Sequence, residues 1–336
     1  MISQPLPDLT AALRLQTQSQ TLRAQLDQAA QEVTTGLSAD IRSATRGDLA
    51  PIFGIDRELE RVAIVEQDLS LAAARAQVAQ SALDIVSDAD RTLGLDLLGA
   101  TARGDTVARD NFINQGEEVL RSIVSALNTQ FGGRSLFAGA AEDSAALAPS
   151  DTILADVSAL LAAATSPADA LAAIDTYFDT PGGVFETTIY GGANTDSAGV
   201  ELYEGTRIDY LPRADDPAIR EALKSVALVA AAQDAGFATN RAAFDDFVTT
   251  AATRLTASNE GVIALQASLG VAEEQIDTAR DANAAERSTL SITRNDLIGV
   301  DQFDAAGRLA ELESQLEALY VVTGRLSNLS LTNYIR

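Results

Sequence analysis

The side chains in this sequence best suited to catalysis occur in adjacent pairs of acids. Examples are Asp215-Asp216, Asp245-Asp246 and Glu273-Glu274. Two carboxylates can divide general acid and general base work between them when they face each other. Neighbouring positions on a helix point in different directions, however, so such pairs are typical of a solvated surface. We therefore predict no catalytic residue and no enzyme activity.

Cysteine and histidine, which supply many enzyme and metal sites, are absent from the 336 residues. Their absence excludes zinc sites built from Cys and His, and also Ser-His-Asp and Cys-His nucleophilic sites. A carboxylate-only or Ser/Lys enzyme stays open in principle. The glycine pairs Gly132-Gly133 and Gly182-Gly183 do not match a phosphate-binding loop and indicate turns. The sequence therefore predicts neither a metal nor a cofactor.

The net charge of −24 restricts the possible partners. So acidic a surface repels nucleic acid phosphate and anionic membranes. No stretch approaches the roughly 18 apolar residues of a membrane-spanning helix. The first eight residues, MISQPLPD, lack the basic and apolar regions of a cleaved signal peptide. We expect no nucleic acid partner, no membrane insertion, and a chain that is cytoplasmic or exported without a cleaved signal.

Two leucine stripes, one near each end of the chain, are the strongest pattern in the sequence. A 3-4 spacing places one narrow stripe on a helix, which is typical of a helix that meets another helix. Thr323 and Ser330 interrupt the C-terminal stripe where a tight coiled coil prefers leucine. The predicted assembly interface consists of Leu15, Leu22, Leu26, Val33, Leu309, Leu312, Leu316, Leu319, Leu326 and Leu329.

The eight prolines indicate where long helices can run. None lies between residues 52 and 148, and none follows residue 217. Because proline breaks helix interiors, these stretches favour long helices. We predict helices over residues 8–40, 52–135 (interrupted around Gly99 and Gly104), 240–298 and 302–335. Short helices at 153–164 and 168–177, strands at 184–190 and 200–211, and a helix starting at Asp216-Pro217 are predicted between them.

The predicted fold is mainly α, an elongated rod of long antiparallel helices formed by both chain halves, with a small mixed α/β insertion in the middle. It divides the chain into three domains. Residues 1–45 plus 297–336 form a terminal coiled-coil assembly domain. Residues 46–140 plus 238–296 form a helical rod domain, and residues 141–237 form the central insertion domain.

The end helices are predicted to be weakly ordered in the free monomer. Burial of a few leucines on one stripe does not offset the backbone entropy lost in ordering a whole helix. Such helices become stable when copies of themselves or a partner surround them. The alternative is an ordinary helix pair within one chain.

Several short segments resemble the flagellin family. Residues 31–37, QEVTTGL, with IRSA at 41–44, resemble its N-terminal helix and the turn that follows. Residues 128–139, NTQFGGRSLFAG, resemble the segment that closes its first helical domain. Leu269-Gly270 and residues 299–301, followed by the leucine stripe, resemble its returning C-terminal half.

The chain ends are also informative. Residues 329–335, LSLTNYI, are similar to the ending of the family's hook–filament junction members and differ from the usual filament flagellin ending. Residues 47–51, GDLAP, match an acidic turn of the family only imperfectly. A start that contains Pro5 and Pro7 is also unusual for the family.

The resemblance implies a structural role in the bacterial flagellum. Such proteins are exported unfolded through the flagellar type III channel, with a type III export chaperone, and no signal is cleaved. They assemble with themselves in a ring at the distal end of the hook and join the hook-side junction protein to flagellin. The alternatives are a filament flagellin or a non-flagellar coiled-coil interaction protein, such as a signalling or adhesin module.

Overall fold

The computed structural model describes the backbone of residues 6–203 and 206–334, and the side chains of residues 10, 13–202 and 206–325. The chain is mainly helical, as predicted. The helices are α1 (Leu6–Thr35), α2 (Ile41–Ala44), α3 (Ala50–Arg103), α4 (Thr106–Leu127), α5 (Ser150–Ala163), α6 (Pro167–Asp179), α7 (Pro217–Ala230), α8 (Arg241–Ile298) and α9 (Gln302–Tyr334).

Two small antiparallel hairpins accompany the helices. One pairs β1 (Gln130–Phe131) with β2 (Arg134–Ser135), and the other pairs β3 (Val200–Tyr203) with β4 (Thr206–Ile208). A short 3-10 turn at Ala232–Asp234 follows α7. The predicted helix over 52–135 therefore ends earlier, at Leu127, because the Gly132-Gly133 turn folds the next residues into a hairpin.

Local chemistry accounts for the helix boundaries. The predicted interruption lies at Gly104, whereas Gly99 is inside α3. Asp105 then caps α4 by accepting a hydrogen bond from the Ala108 backbone N–H at 3.0 Å. Asp216 caps α7 in the same way, from the Ala218 N–H at 2.9 Å, and proline occupies the first helical position as predicted.

The strand predicted at 184–190 is wrong. These residues form a single π-helical turn, Phe185–Ile189, and both end residues are fully buried. The Phe185 ring lies 5.5 Å from the Phe178 ring. Residues four apart share one side of a helical turn, so an alternating pattern of this length also fits a turn anchored at both ends. The strands predicted within 200–211 are confirmed as the hairpin of β3 and β4.

The chain forms two compact units. Unit 1 comprises Met1–Ala63 with Ala284–Arg336, and unit 2 comprises Ile64–Asn283. The segment predicted as an insertion, which contains α5 to α7, lies in unit 2 with the larger parts of α3 and α8. The three-domain division of the sequence stays a prediction.

Unit 2 has a continuous core. Its largest fully buried side chains include Leu69, Leu83, Leu97, Ile113, Leu120, Phe137, Phe178 and Phe247. Helices α4 and α7 approach closely at Gly116, where an added Cβ would lie 2.9 Å from the Ala230 Cα. Small residues thus let the helices of unit 2 pack at short range.

Candidate assembly surface

The two leucine stripes meet in unit 1, where α1 packs on α9. Leu22 and Ala29 of α1 form a buried cluster with Leu312 and Leu319 of α9. Half-buried leucines on both helices extend the cluster, namely Leu15, Leu26, Leu309 and Leu316. The two stripes therefore form one seam within a single chain, here called the terminal seam.

Three predicted interface residues are not among the described members of this cluster. Val33 is half-buried on α1 and is not part of the seam cluster. The side chains of Leu326 and Leu329 lie outside the described residues. The position of the other seven is established, whereas their role between subunits stays a prediction.

Polar contacts tie the two helices together along the seam. The Arg23 Nε and Nη2 atoms donate to the Tyr320 hydroxyl at 3.0 and 2.6 Å. Further along, the Arg308 Nη1 lies 3.1 Å from the Glu32 Oε2, and the other Glu32 oxygen accepts from the Ala39 backbone N–H at 3.2 Å. Sequence reasoning missed these residues. Their only signal is that they flank the stripes on the same two helices.

Backbone hydrogen bonds fix one end of the helix pair. The turn after α1 pairs with the turn between α8 and α9. The Ser38 N–H donates to the Ile298 carbonyl at 2.7 Å, and the Val300 N–H donates to the Gly36 carbonyl at 3.0 Å. Gly36 has a φ of 70°, which favours glycine. The TTG sequence at 34–36 thus supplies the turn that anchors the start of α9 beside the end of α1.

Burial of the seam is incomplete. Its best-buried leucines, Leu22, Leu312 and Leu319, stay 8–9% exposed. Unit 1 also carries large apolar side chains on its surface, and Phe303 is 85% exposed. The others among the described side chains of unit 1 are Leu13, Phe53, Ile292, Leu297, Tyr320, Val321 and Val322. Unit 1 thus leaves several large apolar side chains accessible to water in the single chain.

A cleft of about 590 Å³ lies beside the seam in unit 1. Its lining is mainly polar and includes Gln25, Gln28, Asp40, and the paired Glu32 and Arg308. Since ligand sites are mostly apolar with a few polar groups, this lining is not typical of a small-molecule pocket.

Three of the paired acids make structural contacts through their side chains. Asp216 caps α7, and Asp215 pairs with the Arg213 Nε at 2.7 Å. Asp245 forms an ion pair with Arg109. Burial, and to a lesser degree the charge of Asp277, raise the pKa of Glu273. Within the described ranges, no three acidic side chains are placed so that they could hold a metal ion.

Among the described helices, none combines sufficient length with sufficient apolar character to cross a membrane.

No protein-family model matches the chain, and no curated protein is similar to it at a significant level. Among solved structures, it is similar to a protein of Vibrio parahaemolyticus that is provisionally named a flagellar hook-associated protein. The TM-score is 0.54 at 17% sequence identity, and the match covers 74% of this chain and 96% of the other. The chain therefore shares the fold of that protein.

Proposed function

We propose that this chain is a structural subunit of the bacterial flagellum, located at the junction between hook and filament. The role corresponds to that of hook-associated protein 3. Copies of the chain form a ring through their terminal helices, and the ring joins the hook-side junction protein to flagellin. The protein acts by assembly and catalyses no reaction.

The terminal seam is the observation that carries this proposal. It brings the two chain ends together, yet it leaves its leucines partly exposed and Phe303 almost fully exposed. A monomer gains little from leaving such surface in water, whereas neighbouring copies in a ring would cover it. The shared fold and the sequence resemblance of both chain ends support a flagellar setting.

Export through the flagellar type III channel fits the same proposal. The protein would reach the cell exterior unfolded and without a cleaved signal, after release from an export chaperone. No disulfide needs to be broken first, because the chain has no cysteine. Because the terminal seam buries few side chains, few contacts between the chain ends must break before unfolded export.

Deletion of the gene tests the junction role. We expect hooks without filaments and flagellin released into the medium, because flagellin would lack its attachment site. Filaments that stay attached to their hooks, with no flagellin in the medium, would contradict the junction assignment. If the chain is instead a filament flagellin, labelled antibody will decorate the whole filament rather than one band next to the hook.

Point variants test the terminal seam separately. Leu316→Asp combined with Leu319→Asp places two charges in the seam, so we expect assembly to be lost while unit 2 stays folded. Leu95→Asp is the matched control, because Leu95 is 52% exposed in unit 2. The Leu95→Asp variant should still assemble, as measured by sedimentation. Equal assembly of both variants would show that the seam is not needed.

A further inference from the structure

Asp90 is a fully buried carboxyl group in the interior of unit 2. It lies on α3 with a relative exposure of 0%, facing Ser258 of α8. Its Oδ1 atom has no hydrogen-bond partner among the described residues. An ionised carboxylate in such a place is strongly unfavourable unless it is paired and hydrogen-bonded. The site therefore favours the neutral acid.

The hydrogen-bond geometry indicates the same protonation state. The Ser258 Oγ lies 2.8 Å from the Leu255 carbonyl oxygen and 3.3 Å from the Asp90 Oδ2. A hydroxyl has one proton to donate, and a carbonyl oxygen can only accept. The shorter contact therefore uses the Ser258 proton. The Asp90 contact is then satisfied when Asp90 itself carries a proton and donates it to the Ser258 oxygen.

Among the described residues, no charged side chain forms an ion pair with Asp90. On α3, Arg91 pairs with Asp88 on the exposed side. On α8, Arg254 binds Asp175 with two hydrogen bonds, of 2.8 and 3.1 Å. The nearby Asn259 is uncharged, and its Oδ1 accepts a hydrogen bond from the Ser87 hydroxyl at 2.7 Å.

Burial raises the pKa of Asp90 well above its ordinary range, and the Ser258 hydroxyl opposes this only in part. Charged side chains of the other described elements do not contribute to the shift.

We propose that Asp90 is a proton-linked latch between α3 and α8 in unit 2. Helices α3 and α8 pack fully against each other when Asp90 is a neutral carboxylic acid. When the Asp90 O–H bond breaks, its proton passes to solvent and the remaining carboxylate loosens the contact. The Asp90 site therefore contributes more to the resistance of unit 2 to unfolding in mild acid than at neutral or alkaline pH. This inference concerns unit 2 alone and does not rest on the proposed flagellar role.

The sign of the effect follows from proton linkage. The folded chain holds a proton that the unfolded chain releases above a pH of about 4, the ordinary pKa of aspartate. The contribution of Asp90 to stability is complete below that pH and declines as the pH rises to the pKa of the folded state. Within this window, Asp90 alone lowers the ratio of folded to unfolded protein by up to about tenfold per pH unit.

Urea unfolding of the full chain, followed by circular dichroism between pH 4 and pH 9, tests the latch. Asp90→Asn keeps the shape and a donor for Ser258 but cannot ionise. We expect the unfolding constant of the wild type, divided by that of Asp90→Asn, to rise by up to tenfold per pH unit within the window. Asp88→Asn is the matched control, because Asp88 is exposed and two residues away. The ratio of wild-type to Asp88→Asn unfolding constants should not change with pH. If the ratio of wild-type to Asp90→Asn constants were equally independent of pH, the proposal would be overturned.

A second measurement does not depend on the folding of the Asn variant. Infrared spectra of the wild type at pH 7 should show the carbonyl band of one neutral carboxylic acid. Replacing the acceptor with Ser258→Ala should shift this band. The absence of a neutral acid band at pH 7 would overturn the proposal even if Asp90→Asn fails to fold.

Discussion

The two units of the molecule are built from similar helices but bury them differently. In unit 2, side chains such as Leu69, Leu83 and Phe247 are fully buried. In unit 1, Ile298 is 1% exposed beside the turn after α1, but Leu312 and Leu319 of the seam remain 8–9% exposed. The same helical periodicity thus produces a fully buried core in unit 2. In unit 1 it produces, in our account, a helix contact that neighbouring copies must complete.

The largest expected difference between the units concerns truncation of a core residue. Phe247→Ala should lower the free energy of unfolding of unit 2 by about 3–5 kcal/mol, because it leaves a cavity in a closed core. Leu312→Ala, in the partly open seam, should cost less, about 1–2 kcal/mol, because water already reaches the site. Urea unfolding with residue-level hydrogen exchange measures both. Equal losses would remove the contrast between the units.

A smaller effect is expected from the closest helix contact in unit 2. Gly116→Ala would place a Cβ 2.9 Å from the Ala230 backbone, so we expect a loss of about 1–3 kcal/mol. Gly270→Ala on α8 is the matched control, because an added Cβ there meets nothing within 4 Å. The control should raise the thermal midpoint, since alanine favours a helix by about 1 kcal/mol over glycine. A Gly116→Ala variant as stable as the control would contradict the packing described for unit 2.

The smallest effect is expected at the polar edge of the terminal seam. Tyr320→Phe removes the hydroxyl that accepts two hydrogen bonds from Arg23 but keeps the ring beneath the guanidinium group. Because the pair is exposed, the cost should be below about 1 kcal/mol. Hydrogen-exchange rates of the α1 backbone amides measure this loss of stability. A much larger loss would show that polar contacts, rather than the leucines, hold the seam.

Much of this architecture could be predicted from sequence because it depends on local patterns. Leucine spacing predicts the seam, and Asp216-Pro217 predicts the start of α7. The turn at Phe185–Ile189 could not be distinguished from a strand, because two anchors four residues apart fit both. The Arg308–Glu32 pair joins residues 276 positions apart, so no local pattern reveals it. The burial of Asp90 likewise depends on α8, far away in the chain.

Limited proteolysis of the monomer and of the assembled protein tests the central claim most directly. In the monomer, we predict rapid removal of roughly the first 45 and last 40 residues, leaving a resistant fragment that contains unit 2, because a partly buried seam opens more often than a closed core. In the assembly, the same ends should resist, since neighbouring copies cover them. Equal resistance along the whole chain in the monomer would contradict the account.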